Sequence, residues 1–219
     1  MISVVVWRWG HKYSAESVNT LFRMVRRWYG PHRSICVTND AAGIDADIEI
    51  IADREDFSNV PNPSGPQFPS CYRRLRLFDG SDFGERVVSL DLDAVVVDDL
   101  RPLWDRPETV VAWEDPLYPR QVNGSMLLLN AGAHPEVWAE FNPRISPAAA
   151  KTAGFRGSDQ AWISYLMTES ARWTRADGVY SFRQARELPA NARIVFFHGG
   201  TKPWDIGAQR IEWVRKNYR

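Results

Sequence analysis

The chain has 219 residues, 44% of them hydrophobic and 25% charged, which suits one soluble globular domain over 1–219. Its 27 Lys and Arg balance 27 Asp and Glu, so no general field draws nucleic acid or acidic lipid, and nucleic acid is not an expected partner. No apolar run is long enough for a transmembrane segment, MISVVVWRWG lacks the basic start and long apolar core of a signal peptide, and Cys36 and Cys71 lack metal-type spacing; a cytoplasmic protein with reduced thiols is expected.

Residues 2–7, ISVVVW, read as a buried strand. From Ser14 to Tyr29, Val18, Leu21, Phe22, Val25 and Trp28 recur at helical spacing, with Ser14 as N-cap and Gly30-Pro31 as the stop. Strands at 34–38 and 48–51 follow, and this strand-helix-strand opening favours a parallel sheet. Residues 52–69 hold Pro61, Pro63, Pro66 and Pro69 and read as a long irregular loop of the kind that carries function. A short helix is expected at about 70–79, then a strand RVVSLDLD over 86–93. Further strands are expected at 109–113 and 125–130, helices at 134–142 and 158–170, a last buried strand at 193–198 and an amphipathic helix from Ala208 to Tyr218. The sum is one α/β domain with a mixed, mainly parallel sheet flanked by helices.

Four stretches carry candidate chemistry. Asp91 and Asp93 end an apolar strand, and positions i and i+2 of a strand share a face. Two such carboxylates at a strand's C-terminal end suit a divalent cation, Mn²⁺ or Mg²⁺; a strand end meeting water is the structural alternative. RIVFFHGGTKPW delivers His198 into a glycine turn before Lys202. His198 could complete the metal set, Gly199 and Gly200 let backbone amides approach a phosphate, and Lys202 could neutralise it; a structural histidine before an ordinary turn explains the same residues. Asn123-Gly124-Ser125 suits hydrogen bonding to a sugar, or is a plain Asn-Gly turn. Ser158 reads as an N-cap, which by itself places Asp159 and Gln160 in a first helical turn.

In this collinear order, YRRLRLF (72–78), RVVSLDLDAVVVDDLRPLWD (86–105), NGSMLLLN (123–130), SDQAW (158–162) and HGGTKPW (198–204), with the early GHKYSAESVNTL, resemble glycosyltransferase family 8 and related GT-A enzymes. The resemblance implies a single GT-A domain that moves a hexose from a nucleotide sugar, a UDP-sugar above all, with retention at the anomeric carbon. It implies a divalent metal, usually Mn²⁺, held by Asp91, Asp93 and His198. It places Tyr13 near the base, and Arg74, Asp91, Leu92, Asn123, Gly124, Gly200 and Lys202 around the donor. Asp159 and Gln160 stand near the reacting carbon.

Three departures give expectations of their own. Trp7-Arg8-Trp9-Gly10 lacks the acidic residue that reads uracil in some family members, Asn-Gly-Ser replaces the usual donor-sugar pattern, and the His198-to-Lys202 spacing is short, so the phosphate loop is reshaped. The acceptor stays open among glycan, lipid-linked glycan, protein, small metabolite and modified DNA. Loop 52–69, residues 143–157 and the C-terminal helix are where its contacts are expected. That helix, with Arg210, Arg215, Lys216 and Arg219, could also touch a membrane periphery. Asp115 is a candidate base for an inverting route. Two rival readings remain: a haloacid dehalogenase-type phosphatase with Asp91 as nucleophile, disfavoured by Ala94 after the motif, and an inactive nucleotide-sugar binding module.

Overall fold

The structure is a computed structural model that describes every residue except Ser81. Its main sheet has seven strands in the order β3-β2-β1-β4-β7-β6-β8. These are β1 (Ser3–Trp7), β2 (Arg33–Val37), β3 (Glu49–Ile51), β4 (Arg86–Leu90), β6 (Val110–Glu114), β7 (Val122–Asn130) and β8 (Ala171–Trp173). Only β7 opposes its neighbours, so the sheet is mixed and mainly parallel, as expected. A second sheet, β5-β10-β9, joins β5 (Ala94–Val96), β10 (Ile194–Phe196) and β9 (Val179–Ser181), with β10 antiparallel to β5 and parallel to β9.

The period-two geometry of a strand, with both faces covered, explains why β1 is buried throughout and carries Val4 to Trp7 as an unbroken apolar run. Val4 and Val6 face one core with helix α1 (Ala15–Trp28), Trp104 and Trp113; Val5 and Trp7 face another with Tyr72, Phe78 and Trp162. Helix α1 starts where expected, because the Ser14 hydroxyl accepts from the Ser17 amide at 3.2 Å. It stops at Gly30, whose φ of +100° no β-carbon-bearing residue adopts easily.

Several elements depart from expectation. The expected strand 86–93 ends at Leu90, and Asp91–Asp93 form a turn into β5, which crosses to the second sheet. The shared-face argument for the two aspartates therefore gives way to a turn. Tyr72–Phe78 is a 3-10 helix. Asn123-Gly124-Ser125 lies inside the nine-residue strand β7 and not in a turn, with a register shift opposite Ala112 and Trp113. Residues 134–142 form only the short helix α3 (Glu136–Ala139), and the stretch 143–157 contains a helix, α4 (Ser146–Thr152). Helix α5 covers Asp159–Leu166, shorter than expected, because the chain must turn into β8. The C-terminal segment divides into α6 (Ile206–Gln209) and α7 (Glu212–Asn217), and α2 (Arg101–Trp104) is an added turn after β5. No helix among the described residues is long and apolar enough to cross a membrane.

Candidate active site

The C-terminal end of β4 opens onto two cavities, one of about 590 Å³ and one of about 190 Å³. Pro69, Cys71, Arg74, Asp91 and His198 line both, so these residues mark the seam between them. Tyr13, Leu92, Asp93 and Lys202 line the inner cavity, with Trp7 and Trp9; Asn123, Asp159 and Gln160 line the outer one.

Arg74 organises the seam. From the buried 3-10 helix, its Nε donates to Asp159 Oδ2 at 2.8 Å, and Nη1 donates to Asp91 Oδ1 and, at 3.2 Å, to the Gly124 carbonyl. Asp91 Oδ2 accepts from the Ser125 hydroxyl at 2.6 Å. Asp159 Oδ1 accepts from Ser158 at 3.3 Å, so both its oxygens are engaged. Burial pushes the Asp159 carboxyl above its ordinary pKa, and the Arg74 charge opposes that. Glycine is required at position 124 by the close approach of Arg74: a β-carbon there would stand 2.8 Å from Nη2 and 3.5 Å from Asp159 Oδ2.

Asp93 is 5% exposed. Its Oδ2 accepts from Lys202 Nζ and, at 3.1 Å, from the Tyr13 hydroxyl. Lys202 also donates to the Phe197 carbonyl at 3.2 Å. Burial first, then the charge of Asp91, push the Asp93 carboxyl up, while Lys202 pulls it down. Burial likewise pushes the Cys71 thiol up to about 12, which leaves it protonated at the seam.

His198 stacks on Trp113, with ring centroids 5.2 Å apart and planes 19° from parallel. Its Nε2 is buried and has no hydrogen-bond partner. Burial holds its pKa below the ordinary value, against the pull of Asp93, Asp91 and Asp115, so the ring is neutral and Nε2 can act as a donor to a cation. Two carboxylates and an unpartnered imidazole nitrogen are the donor chemistry that Mn²⁺ or Mg²⁺ takes. As the side chains stand, no three His, Cys, Asp or Glu residues among those described gather as a preformed metal cluster, and Arg74, Ser125, Lys202 and Tyr13 occupy the two carboxylates.

Asp115 does not offer a free base. Its Oδ1 accepts from the Leu117 and Tyr118 amides at 2.9 and 3.0 Å, and its Oδ2 from Asn123 Nδ2 at 3.0 Å. Asn123 in turn accepts from the Ser125 amide at 3.0 Å, so Asp115 fixes the strand segment that faces the outer cavity. Gln160 is held more loosely: its Oε1 accepts from the Gly124 amide at 3.4 Å and its amide donates to the Arg156 carbonyl at 3.2 Å.

Gly199 lines the inner cavity and Gly200 stands exposed beside it. Loop 52–69 contributes Asn62, Ser64, Phe68 and Pro69 to the outer cavity, and the 143–157 stretch contributes Arg156 and Gly157. The C-terminal helices supply no described residue to either cavity. Sequence reasoning named Ser125 within Asn-Gly-Ser and Ser158 as an N-cap, but gave neither Cys71 nor Arg183 a place in the site, and nothing local marks Arg183 as a cavity residue.

Neither a family model nor a curated protein matches the chain. Solved structures do match. The galactosyltransferase LgtC, in complex with donor and acceptor sugar analogues, is 17% identical with a TM-score of 0.66, over 100% of this chain and 97% of LgtC. The glycosyltransferase GlyE of Streptococcus pneumoniae TIGR4 is 15% identical with a TM-score of 0.58, over 93% of this chain and 56% of GlyE. The bifunctional glycosyltransferase WbbM is 15% identical with a TM-score of 0.59, over 99% of this chain and 50% of WbbM. The chain has the fold of these glycosyltransferases.

Proposed function

We propose that the chain is a glycosyltransferase of the GT-A type, acting as one domain over 1–219, that moves a hexose from a nucleotide sugar, a UDP-sugar, to an acceptor hydroxyl with retention at the anomeric carbon. The observation that carries this reading is the seam: Arg74 from the 3-10 helix, Asp91 from the Asp91–Asp93 turn and His198 line both of two joined cavities, with Asp159 of α5 bonded to Arg74 on the outer side. A nucleotide sugar has the same two-part shape, and the match to LgtC over nearly all of both chains supports it.

The inner cavity, walled by Trp7, Trp9 and Tyr13, takes the nucleoside; the outer one takes the sugar and the acceptor. Asp91, Asp93 and His198 would hold a divalent cation, which supplies Lewis-acid stabilisation of the departing diphosphate. Transfer breaks the bond between the anomeric carbon and the phosphate oxygen, whose electron pair leaves with the diphosphate. The acceptor oxygen forms the new bond, and its proton passes to the released phosphate. Arg74 keeps Asp91 and Asp159 in place. Both Asp159 oxygens are engaged, so the loosely held Gln160 carbonyl is the better partner for developing positive charge on the sugar. LgtC has also been solved as an active-site glutamine-to-glutamate mutant, which places a glutamine in that enzyme's active site.

A thermal-shift screen of nucleotide sugars with and without Mn²⁺ tests the reading. Stabilisation by at least one sugar nucleotide, larger with the metal, is expected. No stabilisation by any of them would remove the donor site from the account.

A further inference from the structure

Lys202 is the cation that the sequence offers for the donor's diphosphate. The structure has committed it elsewhere: its ammonium is buried against Asp93 and the Phe197 carbonyl, and the residue is only 8% exposed. The short turn from His198 to Lys202 puts the lysine, like Gly199, on the wall of the inner cavity. The carboxylates of the outer cavity are also satisfied: Asp91 and Asp159 by Arg74, and Asp115 by amides and Asn123.

Among the described residues, three cations that line the cavities make no side-chain hydrogen bond or ion pair: Lys12 and Arg156, which lie over the Tyr13 and Tyr118 rings, and Arg183, which faces the Gly199 turn. Arg183 follows β9 and lines the outer cavity beside His198. Among the described residues its guanidinium takes part in no hydrogen bond or ion pair; only its backbone amide is bonded, to Ser181. It reaches across to the glycine turn, where a β-carbon on Gly199 would stand 3.0 Å from its Nη2. Gly199 itself lines the inner cavity, so Arg183, on the wall of the outer one, stands at the border where the reading above runs a diphosphate.

We propose that Arg183 is a diphosphate-binding residue of this site, gripping the donor over the Gly199 turn from the side opposite the buried Lys202–Asp93 pair. The planar guanidinium fork matches a pair of phosphate oxygens, which an ammonium cannot do. The absence of a β-carbon at Gly199 leaves the space through which the fork reaches the turn. This inference rests on the nucleotide-sugar reading and adds a residue to it.

Calorimetry with UDP, and with GDP and ADP in parallel, tests it in the presence of Mn²⁺. Arg183 is exposed, so Arg183→Ala and Arg183→Gln should unfold at the wild-type temperature. Both should bind the nucleoside diphosphate roughly 10- to 100-fold more weakly, the worth of charged hydrogen bonds, with a smaller loss on UMP. Arg183→Lys should recover part of the loss. Arg186→Ala removes the same charge nearby, from a side chain stacked on Phe182, and should leave the affinity unchanged. Wild-type diphosphate affinity in Arg183→Ala, or an equal loss in Arg186→Ala, would overturn the assignment of Arg183 while leaving the donor site standing. Failure of the wild-type chain to bind any of the three diphosphates would overturn both.

Discussion

Arg74 is buried with two carboxylates, and its removal would leave Asp91 and Asp159 without their cation. A buried pair broken from one side typically costs about 3–5 kcal/mol. Arg74→Ala should lower stability to urea by that order, and adding Asp159→Asn should recover part of it, because the uncompensated charge is then gone. A double-mutant cycle with no coupling would contradict the geometry. His32 makes a separate test by pH. Its Nδ1 faces the Gly30 carbonyl at 2.8 Å and its Nε2 the Ser34 hydroxyl at 3.0 Å, which suits the neutral ring. Burial lowers its pKa from 6.5. The unfolded chain therefore takes up the proton first, and stability present above that pH is lost as pH falls, by at most about 1.4 kcal/mol per pH unit. His32→Gln should flatten the fall in urea midpoint between about pH 7.5 and about pH 5.5 relative to wild type. Equal slopes would refute the neutral-ring reading.

At the scale of elements, β7 and α5 meet through Gly124. A methyl group there collides with the Arg74 guanidinium, so Gly124→Ala should shift Arg74 and cut donor binding about tenfold or more, at a stability cost of about 1–3 kcal/mol. Unchanged donor affinity would mean that this contact does not shape the site. Ser14 caps α1 by one side-chain bond, and Ser14→Ala should cost about 1 kcal/mol in urea unfolding. The start of α1 and the first strands were legible because capping and apolar period are local signals. The Asp91–Asp93 turn was not. VVSLDLDAVVV alternates and stays apolar as one strand would, yet it serves two sheets, and only the pairing of β5 with β10, about a hundred residues away in sequence, ends the first strand at Leu90. Asn-Gly in β7 misled in the same way: a turn dipeptide sits in a strand because Arg74 and Gln160 need the backbone close. The short strands β8 and β9 carry too few residues for a periodic signal.

For the molecule as a whole, motif order was more informative than any single motif. Arg74, Asp91 and His198 are distant in sequence, and the fold brings all three to the seam of one pair of cavities, with Asp159 bonded to Arg74 beside them. What sequence could not give was the use of each charge. It could not show that Lys202 is buried on Asp93, that Asp115 is consumed by amides, or that Arg183 stands uncommitted beside Gly199. Those are matters of which cation reaches which oxygen first, and they depend on loops of the final fold.

Donor hydrolysis by the whole chain, measured with a panel of sugar nucleotides in Mn²⁺, is the most direct test of the account. The wild-type chain should release sugar and nucleoside diphosphate from at least one donor, and Asp93→Ala should lose about 10³-fold in rate, equivalent to about 4 kcal/mol, while keeping its folded circular dichroism spectrum. Hydrolysis by Asp93→Ala at the wild-type rate, or none by wild type on any sugar nucleotide, would contradict it.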